Sequence, residues 1–87
     1  MIEQKKIRVG LVGAGFAGRA HSLAYSNVPK IYSGAPQVEC VRLFDLTKQL
    51  AEDSAAQLGW QDATDDWRRI TQSDDIDLVD IVTPNNA

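Results

Sequence analysis

The sequence is poor in the residues on which several kinds of chemistry depend. It has one cysteine, Cys40, and one histidine, His21. A lone cysteine closes no internal disulfide, and Cys40 with His21 is too small a donor set for a metal site. No apolar stretch approaches the ~20 residues that a bilayer-crossing helix requires. Met1 to Lys6 is not followed by the apolar core of a signal peptide, so a cytoplasmic protein is expected. Positive charge is scarce and scattered: 9 Lys and Arg stand against 12 Asp and Glu, a net charge of −3. Neutralising phosphates takes clustered Lys and Arg, so neither nucleic acid nor an anionic membrane is expected as a partner. Repeats and low-complexity segments are absent. Eighty-seven residues allow one domain at most, and 44% hydrophobic residues suit an ordinary globular one.

What is present alternates between two periodicities. Ile7 to Val12 is a short apolar, β-branched run that stops at glycines and reads as a buried parallel strand. Ala17, Ala20, Ala24 and Val28 then recur at helical spacing, with a helix expected to about Asn27 and a loop from Pro29 through Pro36. Val38 to Phe44 is a second strand, with Cys40 buried in it. Thr47 suits a helix N-cap, Leu50, Ala51, Ser54, Ala55 and Leu58 share one face, and Gly59 is a natural stop. Trp60 to Thr64 holds a short third strand. Asp65 is placed to cap a short helix carrying Trp67 and Ile70, with Trp60 and Trp67 expected to pack rather than stack on a ligand. Ile76 to Thr83 is the fourth strand, ended by Pro84. The order β-α-β-α-β-α-β without hairpin turns requires a parallel sheet, and right-handed crossovers give it the strand order 3-2-1-4.

Three features point to a dinucleotide. The segment Gly13-Ala14-Gly15-Phe16-Ala17-Gly18 is a G-x-G-x-x-G placed between a strand and a helix. In that context Gly13 permits the tight turn, Gly15 leaves room for a pyrophosphate against the backbone, and Gly18 lets the helix pack closely on the sheet. The phosphates meet free N–H groups at the positive end of the helix dipole. Asp45, at the end of the second strand, can accept hydrogen bonds from a ribose hydroxyl. It lies 27 positions after Gly18 rather than about 20, and the loop from Val28 to Gln37 accounts for the excess. Thr83, Pro84 and Asn85 follow the fourth strand, whose carboxyl end borders the cleft where strand order reverses. Asp45 would repel the 2′-phosphate of NADP, so NAD is the expected cofactor and NADP the alternative, with Lys48 and Arg42 near enough in sequence to soften the repulsion. His21 has no acid or serine placed beside it in sequence and reads as structural. Asp74, Asp75, Asp77 and Asp80 read as solvated turn and strand-edge charges. No catalytic residue is assigned.

Three stretches carry a family resemblance: Ile7 to His21 (IRVGLVGAGFAGRAH), Asp65 to Ile70 (DDWRRI) and Asp74 to Asn85 (DDIDLVDIVTPN). Together they resemble the N-terminal domain of the glucose-fructose oxidoreductase, inositol dehydrogenase and rhizopine-catabolism (Gfo/Idh/MocA) family. The resemblance implies a two-domain enzyme that moves hydride between NAD(P) and a hydroxyl carbon of a sugar, inositol or related polyol. It implies that Gly13, Gly15, Phe16, Ala17 and Gly18 touch the pyrophosphate, that Asp45 holds the adenosine ribose, and that Thr83, Pro84 and Asn85 line the nicotinamide side. The family's Glu-Lys-Pro segment and its second, substrate-binding domain are absent from residues 1–87, which are therefore expected to be a truncated dinucleotide-binding domain that binds nucleotide without catalysis.

Two other classes fit parts of the pattern. A stand-alone nucleotide-binding or redox-sensing module would need the same glycine turn. A class I methyltransferase core also pairs a glycine loop with an acid after its second strand, although Phe16-Ala17-Gly18 suits dinucleotide spacing better. The outer edge of the fourth strand is apolar, and a homo-oligomer formed through it is expected.

Overall fold

The computed structural model describes residues 6–13, 15–31 and 37–82. Along them lie β1 (Lys6–Val12), α1 (Phe16–Ile31), β2 (Gln37–Phe44), α2 (Lys48–Leu58), β3 (Asp62–Thr64), α3 (Arg68–Thr71) and β4 (Leu78–Ile81). All strand pairs are parallel, and the sheet order is β3-β2-β1-β4, as the crossover rule requires. This is a Rossmann-type α/β sheet.

The main core lies on one face. Val9 and Leu11 of β1 and Leu43 of β2 pack with Ala51 and Ala55 of α2 and with Trp60. Small alanines let α2 lie close to the strands, while Leu50, half exposed, stays outside. Thr47 caps α2 as expected, its hydroxyl oxygen accepting from the Leu50 N–H at 3.1 Å. Gly59 ends it at φ 83°, a left-handed conformation that suits glycine. On the opposite face, a Cβ at Gly10 would come within 2.7 Å of an Ile70 methyl and 2.8 Å of Ile76. Glycine in the middle of β1 is thus what allows Ile70, fully buried, to approach the strand.

β2 carries an irregularity. Val9 pairs with Cys40 but Gly10 pairs with Arg42, leaving Val41 as an extra residue. A bulge of this kind resets the alternation of faces. Cys40, half buried, and Leu43 both reach the main core although they are three residues apart. Arg42 takes up the level of Gly10 on the other side.

Three local expectations are corrected. α1 does not stop near Asn27 but continues through Pro29 to Ile31. A proline lacks an N–H and its ring crowds the carbonyl four residues earlier, but only Lys30 and Ile31 follow Pro29, so the disturbance is confined to the end of the helix. Asp65 does not cap α3: the residue before the helix is Trp67, and the carboxylate that accepts from the Arg68 N–H, at 3.1 Å, is that of Asp66. The helix starts later than expected because the buried Thr64 hydroxyl accepts from the Asp66 N–H and holds the chain in a turn there. Trp67 is 53% exposed and is not a core residue, since the four-residue α3 is too short to cover it.

The acidic cluster is paired rather than merely solvated. Arg42, only 12% exposed, bonds Asp62 at 2.7 Å and Asp75 at 3.0 Å, and also donates to the Arg69 carbonyl. It thereby joins β2 to β3 and to the turn before β4. Arg8 holds Asp77 at 2.9 Å, and the Asp77 N–H donates to the Arg8 carbonyl, which fixes where β4 enters the sheet.

Hydrogen bonding by the Arg42 guanidinium lowers the carboxyls of Asp62 and Asp75 below the ordinary 3.8. Depressed folded values mean that their stabilisation is complete above about pH 4 and is lost as the pH falls below 3.8 through those values. We therefore expect Arg42→Ala to lower the urea midpoint at pH 7 and to flatten the acid side of the stability curve below pH 4. Urea titrations between pH 7 and pH 2.5 check this, and an unchanged acid limb would contradict it.

Candidate functional site

The carboxyl ends of three strands meet at one level. Val12 of β1 pairs with Phe44 of β2 on one side and with Ile81 of β4 on the other. The Gly13 N–H donates to the Phe44 carbonyl at 3.0 Å, and the Val82 N–H donates to the Val12 carbonyl at 2.9 Å. The glycine turn, Asp45 and the exit of β4 therefore share one edge of the sheet, as the crossover topology places them.

Each described glycine of the turn has a different environment. Gly13 has φ 97°, which side chains rarely adopt, so the turn itself requires glycine. A Cβ at Gly18 would lie 2.5 Å from the Gly13 carbonyl oxygen, so the first turn of α1 rests directly on the chain leaving β1. At Gly15 a Cβ would meet nothing within 4 Å among the described residues. Gly15 is exposed and its conformation does not demand glycine, so neither packing nor backbone strain accounts for the residue. Open space at a helix start, with N–H groups that lack intrahelical acceptors, fits an approaching anion. Ala14 lies outside the described residues. Phe16 and Ala17 are the first helical residues, and the Arg19 N–H closes the first helical bond onto the Gly15 carbonyl at 3.0 Å.

Asp45 follows β2 directly and is partly buried. Its N–H donates to the Thr64 carbonyl, which anchors it between β2 and β3, and one carboxylate oxygen accepts from the Leu46 N–H at 2.7 Å. The carboxylate is thus oriented at the sheet edge. Leu46 beside it is 82% exposed, an apolar surface next to an acid that the sequence analysis did not single out. An apolar residue in the turn immediately after Asp45 was the available signal. Thr83, Pro84 and Asn85 come next after Val82 but lie outside the described residues.

Two further expectations are corrected here. Arg42 does not stand beside Asp45, because its guanidinium is held by Asp62 and Asp75 on the α3 side. His21 does have an acid beside it: its Nδ1 lies 2.6 Å from Asp80 Oδ2. That oxygen also accepts from the Tyr25 hydroxyl at 2.6 Å. Asp80, with 14% of its side chain exposed, is inserted between α1 and β4 rather than solvated at the strand edge. Burial, and then this hydrogen bond, push the Tyr25 phenol above its ordinary value. Cys40 is pushed up by burial, which leaves it an inert thiol at neutral pH. No group of three or more potential metal ligands exists among the described residues, and no helix there is long and apolar enough to cross a membrane. A cleft lined by Lys48, Glu52, Trp60, Asp62 and Arg69 lies along α2 and β3, and none of the described residues of the glycine turn contributes to it.

Comparison with known proteins agrees with this arrangement. The family model described as "Oxidoreductase family, NAD-binding Rossmann fold" matches residues 7–87. Levoglucosan dehydrogenase from Pseudarthrobacter phenanthrenivorans is 40% identical over 83 residues, covering 94% of this chain and 21% of that protein. A solved structure of levoglucosan dehydrogenase in complex with NADH superposes with a TM-score of 0.91 at 39% identity, over 93% of this chain and 22% of the other. An NAD-binding oxidoreductase from Klebsiella pneumoniae gives a TM-score of 0.86 at 36% identity, over 92% and 22% of the two chains. The chain thus spans about a fifth of the length of these relatives.

Proposed function

Because the chain belongs to the NAD-binding oxidoreductase family of the glucose-fructose oxidoreductase, inositol dehydrogenase and rhizopine-catabolism proteins, we propose that its described edge is the cofactor-holding part of a sugar or polyol dehydrogenase. The observation that carries this reading is Gly15: a glycine that neither the turn nor the packing requires, at a helix start facing open space. Family membership removes the methyltransferase alternative.

In this reading Gly13, Ala14, Gly15, Phe16, Ala17 and Gly18 form the pyrophosphate cradle: N–H groups at the start of α1 meet the anion, while the Gly13 N–H stays on the Phe44 carbonyl and shapes the turn. Asp45 accepts from the adenosine ribose, and Leu46 offers apolar surface to the neighbouring base. Thr83, Pro84 and Asn85 border the nicotinamide side. NAD, when bound, supplies the hydride chemistry. The chain's own residues bind and orient it. Hydride transfer also needs a substrate held in a dry, shaped pocket with a proton-transfer group. Residues 1–87 are assigned the binding and orienting of the dinucleotide.

The same geometry sharpens the cofactor preference. Asp45 would face the 2′-phosphate of NADP with like charge, and Arg42 is committed elsewhere. Only Lys48, exposed at the start of α2, remains near in sequence.

Binding titrations test both points. Gly15→Val should leave the thermal midpoint nearly unchanged, because the site is open, and should weaken NADH binding by at least about tenfold, roughly 1.4 kcal/mol. A variant that binds NADH as the parent does would refute the pyrophosphate assignment. The parent should bind NADH about tenfold or more tightly than NADPH, since two like charges at close range must be desolvated together. Equal affinities would remove the role given to Asp45.

The outer edge of β4 is the proposed site of self-association. No strand among the described residues pairs with it. Leu78, Val79 and Ile81 are exposed there, and Asp80 turns toward α1 instead of guarding the edge. Sedimentation equilibrium should show mass rising with concentration. A monomer throughout would exclude the edge as an interface.

A further inference from the structure

One carboxylate in β4 receives two side chains from α1. His21 and Tyr25 are four residues apart, hence on one face of the helix, and both reach Asp80 Oδ2 at 2.6 Å. An ionised carboxylate only accepts, so Nδ1 of His21 carries the proton and donates. Tyr25 is held in turn from behind. Its ring meets Trp60 edge-on, with centroids 6.4 Å apart at 85°. The Trp60 indole N–H donates to the Ser22 hydroxyl at 3.0 Å, and that hydroxyl donates to the Gly18 carbonyl at 2.7 Å. A continuous set of side-chain contacts, hydrogen bonds and one ring contact, therefore runs from β4 through α1 to the last glycine of the turn.

Asp80 is an unusual residue for its position. Leu78, Val79 and Ile81 around it are apolar, and burying most of a carboxylate is costly unless it is paired. An apolar side chain would pack against α1 without that cost. Two convergent hydrogen bonds give what packing does not, a defined register between helix and strand. The location decides what that register governs. His21 is five residues into α1, about 7–8 Å along the axis from its start, too deep below the turn to touch a pyrophosphate there. Asp80 is two residues before Val82, which closes the ladder onto Val12 at the sheet edge and is followed by Thr83. α1 carries the pyrophosphate end of the proposed site and β4 carries the nicotinamide end.

The geometry points to Asp80, gripped by His21 and Tyr25, as a positioning residue that sets the separation between the pyrophosphate cradle on α1 and the nicotinamide edge of β4. The assignment rests on the dinucleotide-binding reading above. Without the grip, α1 slides relative to β4, and a ligand that must engage both ends loses more than one that engages the cradle alone.

NADH and ADP-ribose separate the two ends, because ADP-ribose has the adenosine and pyrophosphate but no nicotinamide. Asp80→Ala and Tyr25→Phe are titrated with both ligands by calorimetry. Asp80→Ala should weaken NADH about tenfold more than ADP-ribose, and Tyr25→Phe should do so in the same direction by a smaller factor. Asp80→Asn, which keeps an acceptor for Tyr25, should recover part of the loss. Equal weakening of both ligands would show mere destabilisation, and no change in either would show a grip without consequence; each overturns the proposal. If Asp80→Ala does not fold, Tyr25→Phe alone decides by the same ratio. Failure of the underlying reading would appear separately, as NADH binding that survives Gly15→Val.

Discussion

The fold is organised around one close approach, that of the first turn of α1 to the chain leaving β1. Gly18 rests on the Gly13 carbonyl at a distance no Cβ could tolerate, and Gly13 reverses the chain in a conformation that side chains rarely adopt. Together they let the helix begin at the sheet edge with only three residues between it and Val12. Its unpaired N–H groups then open directly above the strands. Gly10 makes the corresponding allowance on the other face, where Ile70 and Ile76 press against the strand. The central strand is thus approached from both sides through missing side chains.

The two faces are held by different physics. Under α2 the contacts are apolar, with Leu11 and Leu43 fully buried, each such side chain contributing on the order of 1.5–3 kcal/mol, while α1 adds the polar grip of His21 and Tyr25 on Asp80. Toward α3 the helix is only four residues long, and few apolar groups are available. Arg8 and Arg42 take over there, tying Asp77, Asp62 and Asp75 to the strands. Each partly exposed pair contributes modestly by itself. A branched network around the nearly buried Arg42 restrains more, since one side chain locates a strand and a turn simultaneously.

Element order, sheet order and the glycine turn were legible because each rests on local chemistry or on chirality. Thr47 and Gly59 have capping preferences that act over a few residues, and both ends of α2 fall where those preferences put them. Right-handed crossovers leave one sheet order for this alternation. The misses concern contacts between residues distant in sequence. His21 and Asp80 are 59 positions apart, and nothing in either neighbourhood shows that α1 and β4 bring them together. Arg42 lies three residues from Asp45, yet the bulge and the strand pleat commit it to the α3 side. Trp67 looked like core by residue type, but a four-residue helix has too little surface to cover it. Of the candidate site, the shared level of Gly13, Asp45 and Val82 followed from topology. The exposed Leu46 became evident only when the turn after Asp45 could be seen.

The extra residue at Val41 has a consequence for reading related sequences. On either side of it, β2 obeys the usual alternation, but with opposite parity. A relative whose second strand is regular would reach the same carboxyl-terminal acid with one residue fewer, and every core position before the irregularity would fall out of step with those after it. The gap that restores correspondence then belongs inside the strand, at Val41, and not in the variable loop where alignments by habit place it. Deleting that single codon would carry the charge of Arg42 toward the hydrocarbon interior or drag the acid away from the sheet edge, so an insertion normally regarded as tolerated padding is here a unit of phase.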